Sequence, residues 1–133
     1  MKRLGFFIVL CSLVFLATTY VFAAKAKAGK SAVSVSANRV LQGDIIDNMC
    51  ANSNEANLGA FVKTHTKACA LMPACKASGY SIYTTDGKLI PISKSSDKMV
   101  VNFLNQKDSV LQITVNGKTE GKNFKISSIT NRK

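Results

Sequence analysis

Three of the four cysteines, Cys50, Cys69 and Cys75, fall in one stretch with the only histidine, His65. Three thiolates and an imidazole make a complete tetrahedral ligand set for zinc. They are also soft enough for Cu(I), with the thioethers of Met49 and Met72 near in sequence. The spacing predicts one helix over Leu58 to Ala70, carrying His65 and Cys69 four residues apart on one face. Cys75 could join them only because Pro73 breaks that helix, since residues six apart on an unbroken helix diverge by roughly 240°.

The competing chemistry is a disulfide from Cys50 to Cys69 or to Cys75. It would pin an inserted segment to the strand before it, and in the loop-entropy model it would contribute about 3 kcal/mol. The third cysteine would then be buried, reactive or an interchain link. That bond is the preferred expectation, because the chain reads as exported and exported thiols oxidise. A thiol enzyme is disfavoured. Cys69 and His65 form a formal nucleophile–base pair, with Asp47 the one candidate orienting group. There is no C-x-x-C-H for haem, no Gly-rich phosphate loop and no H-E-x-x-H. No catalytic residue is therefore assigned. Asp47 also suits a cap for the loop after its strand, and Met72 and Phe61 suit a core.

The address comes from the first residues. Lys2 and Arg3 precede an apolar run from Leu4 to Leu16, and Val21-Phe22-Ala23 offers small or tolerated side chains for cleavage after Ala23. Residues 1–23 therefore read as a signal peptide, with periplasmic or secreted localisation. The alternative is an inner-membrane anchor over residues 4–24, long enough to span a bilayer. Residues 24–37 are small, polar and lysine-bearing, a flexible lead with nothing to bury. Residues 38–133 then form a single domain.

The chain carries 18 Lys+Arg against 7 Asp+Glu, a net charge of +11. Such a surplus favours acidic partners, so nucleic acid or anionic lipid is a further candidate ligand. The lysines are scattered, however, and Trp is absent. Dedicated nucleic-acid readers cluster charge and interleave aromatics.

Strands are expected over Arg39–Asp47, with Gly43 marking a bulge or bend, and over Tyr80–Thr84 and Lys88–Ile92. The last two are joined at Asp86-Gly87 by a type I′ turn. Polar Asn48 to Asn57 reads as turn. A second helix follows over Asp97–Gln106, with Met99, Val100, Phe103 and Leu104 on its apolar face. Ser109–Val115 and Asn123–Ile129 close the pattern, with the return at Glu120-Gly121 and a bulge at Asn116-Gly117. Three strands, a helix and two strands is the order of a five-stranded OB-like barrel, here with a helical insert after strand 1. The fold class is thus mainly β, with α.

The combination Gly43-x-x-x-Asp47-x-x-Cys50, His65-x-x-x-Cys69-Ala-Leu-Met-Pro-Ala-Cys75, Ser78-Gly79-Tyr80 and Asp86-Gly87-Lys88 resembles a group of short exported bacterial OB-like domains. The resemblance covers about residues 39–129. It implies an exported OB-like domain, mostly of unassigned activity in that group. Together with the residues, it points to a small non-enzymatic binding or accessory domain of the envelope. The sequence leaves its cofactor open, with Zn or Cu(I) as the candidates. Its partner would be an envelope protein, a metal ion or a polyanion, with an oligomer through an unpaired cysteine as a further route.

Overall fold

The computed structural model describes residues 37–133. The signal-peptide expectation and most of the flexible lead lie outside these residues. Five antiparallel strands form one sheet in the order β3-β2-β1-β4-β5. They are β1 (Arg39–Asp47), β2 (Tyr80–Thr84), β3 (Leu89–Pro91), β4 (Gln112–Glu120) and β5 (Asn123–Asn131). The fold is mainly β, as the pattern predicts. Between the edge strands, a single parallel bridge at Ile92–Phe124 and a 2.9 Å bond from Ser93 N to Phe124 O make contact. Among the described residues, no continuous ladder closes the sheet into a barrel.

β1 is the central strand and it changes partner along its length. Residues Arg39 to Asp44 pair with β4, and Gly43 to Asp47 pair with β2. Gly43 sits at that hand-over. The ladder runs through it without a shift in register, so the expected bulge is not there. A side chain at Gly43 would instead run into Tyr83 O and lie 2.9 Å from Ile82 Cγ2. Glycine is required by close approach of the neighbouring strand rather than by a bulge. The bulge expected at Asn116-Gly117 is present as a register shift between β4 and β5.

Both hairpins turn where glycines permit positive φ: Gly87 at +81° and Gly121 at +62°. The first is not the two-residue turn that Asp86-Gly87 suggests. Thr84 N bonds Lys88 O at 2.8 Å and Gly87 N bonds Thr84 O at 2.9 Å. The loop is therefore three residues, 85–87, and Gly87 fills its left-handed position. The Thr84 hydroxyl, which accepts from Lys88 N, stabilises this longer form.

The main core joins the sheet to helix α5 (Asp97–Leu104). Ile45, Tyr80, Ile82, Val100, Leu104, Ile113, Val115 and Phe124 are all at most 1 % exposed. The α5 stripe buries Val100, Phe103 and Leu104, whereas Met99 faces outward. Strict alternation places Leu111, Ile113 and Val115 inside, as expected.

The insert between β1 and β2 differs most from expectation. It holds four short α-helices, α1 (Asn48–Ser53), α2 (Leu58–Phe61), α3 (Lys67–Ala70) and α4 (Pro73–Ser78), with a 3-10 turn at Glu55–Asn57 between the first two. The single helix over Leu58–Ala70 does not form, because Thr64 and Thr66 offer the backbone other partners. The Thr64 hydroxyl donates to Phe61 O at 2.9 Å, and Thr66 caps α3 by accepting from Cys69 N at 3.2 Å. His65 thus lies between helices, not on one. Likewise Asn48 to Ser53 is helical rather than turn, because Asp47 caps it. The insert packs on β1 through a small second core of Ile46, Ala51 and Val62.

Candidate metal centre

The site begins at the last residue of β1. Asp47 is fully buried, a position a carboxylate occupies only when paired. Its Oδ1 accepts from Cys50 N at 2.9 Å, which is also the cap of α1. Its Oδ2 lies 3.1 Å from Nε2 of His65, and both side chains are wholly inaccessible. A neutral imidazole with its proton on Nε2 donates to this carboxylate. Nδ1, which is buried and has no partner, is then a lone pair rather than an orphaned N–H.

Three further helices deliver the sulphurs. Cys50 comes from the first turn of α1, Cys69 from α3 and Cys75 from α4. Proline at the first position of α4 restarts the chain after Met72, and this is how Cys75 reaches the others. The frame is tied down on each side. Asn48 N bonds Gly79 O and Asn48 Nδ2 bonds Ser78 O, both at 2.9 Å, joining α1 to the end of α4. The Tyr80 hydroxyl donates to Ala70 O at 2.8 Å, fixing α3 to the core, and burial pushes its pKa up to about 12. Lys67 Nζ donates to the carbonyls of Gln106 and Ser109, each at 3.0 Å, fixing α3 to the loop after α5.

The result is convergent. One ligand atom each from Asp47, Cys50, Cys69 and Cys75 lies within 4.8 Å of all the others. The Cys50 and Cys69 sulphurs are 3.7 Å apart. Thiolates sharing a tetrahedral zinc with Zn–S near 2.3 Å stand about 3.8 Å apart. A disulfide bond needs about 2.05 Å. The expected disulfide from Cys50 to Cys69 or Cys75 is therefore not formed here, and all three cysteines are free thiols. The expected set of Cys50, His65, Cys69 and Cys75 is also rearranged. The three cysteines come together, but Asp47 takes the fourth place and His65 stands behind it. Met72, expected in the apolar stripe, is 54 % exposed.

Burial raises the Cys50 thiol pKa, and its neighbours Cys69 and Asp47 raise it further. Burial also raises that of Cys75, again with Asp47 adding to the shift. The two thiols share these causes: burial removes the water that would solvate a thiolate, and the Asp47 carboxylate lies beside both. Raised thiols are the opposite of what an activated cysteine nucleophile needs.

The sequence alone suggests Asp47 only as a cap or an orienting group. The signal for its place among the sulphurs is its position three residues before Cys50, where its carboxylate accepts from Cys50 N over the first turn of the following helix. A separate cavity of about 460 Å³, lined by Asp44, Val62, Lys63, Tyr83, Gln112 and Arg132 among others, includes none of the four convergent residues. Among the described residues, no helix is long and apolar enough to cross a membrane. The Leu4–Ala24 segment lies outside them. Compared with family models, with curated proteins and with solved structures, the chain finds no match.

Proposed function

We propose that this protein is a small exported domain that binds one thiophilic metal ion, zinc or Cu(I), through Cys50, Cys69, Cys75 and Asp47. The observation that carries the reading is the convergence of those four ligand atoms within 4.8 Å. The donor set is chemically apt, since thiolates select zinc and Cu(I) over hard ions. His65 supports it as an outer partner. A hydrogen bond to a ligating carboxylate fixes its orientation, and such partners typically affect metal affinity by about 10–100-fold. Binding rather than catalysis fits thiols whose pKa values are raised. Export rests on the Lys2–Ala23 pattern and on the resemblance to exported OB-like domains.

The test is metal content and thiol count on protein purified without added metal and then titrated with zinc or Cu(I). One equivalent should bind, releasing protons from the thiols. Asp47→Ala and each of the three cysteine-to-serine variants should weaken retention. Binding unaffected by these changes would refute the reading.

A second reading is a structural disulfide that holds the insert of an envelope accessory domain. It is supported by the 3.7 Å approach of Cys50 and Cys69. Here the oxidised protein would carry no metal, and Cys50→Ser would lower stability by about 2–4 kcal/mol.

A further inference from the structure

Two features separate the three thiols. Cys50 and Cys69 are half-buried and their sulphurs are 3.7 Å apart, whereas Cys75 is 4 % exposed. A reagent arriving from solvent meets the first two and not the third. Their sulphurs need to approach by less than 2 Å to reach bonding distance, about 2.05 Å. They sit on α1 and α3, helices of six and four residues that are held from outside themselves. Helices so short are not stable alone in water, so their spacing is set by the contacts around them.

Resting on the metal reading, we propose that the site is redox-gated: a low-molecular-weight disulfide joins Cys50 to Cys69 and so expels the bound zinc. The exchange balances without any other reactant. In the zinc-loaded protein the ligating cysteines are held as thiolates, and one of the two attacks a sulphur of the small disulfide, R–S–S–R, and displaces R–S⁻. The other thiolate then attacks the protein sulphur of the mixed disulfide and displaces the second R–S⁻. Two cysteine sulphurs are oxidised, the small disulfide is reduced by two electrons to two thiolates, and zinc leaves unchanged as Zn²⁺. Asp47 and Cys75 are the only original ligands left, half of a tetrahedral set. Bridge and ion exclude one another, because both need the same two sulphurs. A small thiol in excess runs the reaction backwards and restores the site.

The experiment uses the full chain carrying Cys11→Ser, reduced, loaded with zinc and then treated with oxidised glutathione. Zinc release is read with a chromogenic chelator, and pairing by peptide mass mapping after alkylation. One zinc should leave per bridge formed, the bridge should join Cys50 to Cys69, and Cys75 should be recovered alkylated. Zinc affinity should fall by more than about 100-fold and return on reduction. Cys75→Ser should still form the Cys50–Cys69 bridge, whereas Cys69→Ser should stop at the mixed disulfide. Pairing through Cys75, or zinc retained by the bridged protein, would overturn the gate alone. Failure of the reduced protein to take up zinc would overturn the metal reading and the gate with it.

Discussion

His65→Ala tests the wiring of the site without any metal. In the reduced, metal-free protein the imidazole packs its ring against Phe61, centroids 5.6 Å apart, and holds the carboxylate of Asp47 at 3.1 Å, with both the His65 and Asp47 side chains sealed from water. Hydrogen bonds to a charged partner contribute about 1.5–3 kcal/mol. Asp47 keeps its second bond, from Cys50 N, so removing the imidazole leaves the buried carboxylate one donor short rather than bare. We expect His65→Ala to lose about 1.5–3 kcal/mol. Asp47→Ala removes the same contact together with the cap of α1, a further 0.5–2 kcal/mol or so. The double variant should therefore lose less than the two singles combined, by about 1.5–3 kcal/mol. Urea unfolding of the four proteins under reducing conditions with a chelator gives this coupling directly. A coupling under about 0.5 kcal/mol, within the error of such cycles, would refute the pairing and with it the outer-partner role of His65.

Three other outcomes follow from the fold. Gly87→Val should lower stability by about 1–2 kcal/mol, because Gly87 sits at φ +81° in the hairpin loop, and unchanged denaturation midpoints would reject that turn. Gly117→Ala should cost about 1–3 kcal/mol, because its new methyl would meet Lys125 O across the bulge and lie 2.7 Å from Phe124 Cε1. Burial raises the pKa of Asp97, whose Oδ1 has no partner, so its contribution to stability is fully present below the unfolded carboxyl pKa and is lost as pH rises through the folded one. Asp97→Asn should accordingly be more stable than the parent at neutral pH, with the gap closing towards the acid limit, as read by thermal melts across the pH range.

The sheet was legible because its signals are short-range and redundant. Alternation at Leu111, Ile113 and Val115, the glycine of the Glu120-Gly121 turn and the proline that ends β3 at Pro91 each specify a local state that the tertiary fold keeps, and Asp86-Gly87 marks the place of the first hairpin though not its three-residue loop. The insert was not legible, for an equally local reason. Its apolar spacing from Leu58 to Cys69 fits one helix, but Thr64 and Thr66 divert the backbone into a break and a new cap. Periodicity counts apolar residues and does not register this competition. The cysteines stood out by type, yet their grouping with Asp47 depends on where β1 stops and α1 starts. A polar run such as Asn48 to Ser53 does not announce a helix. His65 stands against Asp47 rather than beside Cys69, because the threonines break the helix that would put those two side chains on one face.

That break has a consequence for how the site and the insert depend on each other. Isolated helices of four to six residues are far below the length that is stable in water. The insert rests on the small cluster of Ile46, Ala51 and Val62, with Leu58 and Phe61 beside it, and on Ala70 in the main core, and polar ties such as Tyr80 to Ala70 and Lys67 to the 106–109 carbonyls add to this support. An ion bound by Cys50, Cys69, Cys75 and Asp47 would cross-link α1, α3 and α4 to the end of β1 at one point. A Cys50–Cys69 bond would link only α1 to α3. Metal loading should therefore protect the backbone amides of all three helices from hydrogen exchange, and the bridged form should leave α4 as exchangeable as in the metal-free protein. Equal protection of α4 in both forms would mean that the order of the insert does not depend on what its thiols hold.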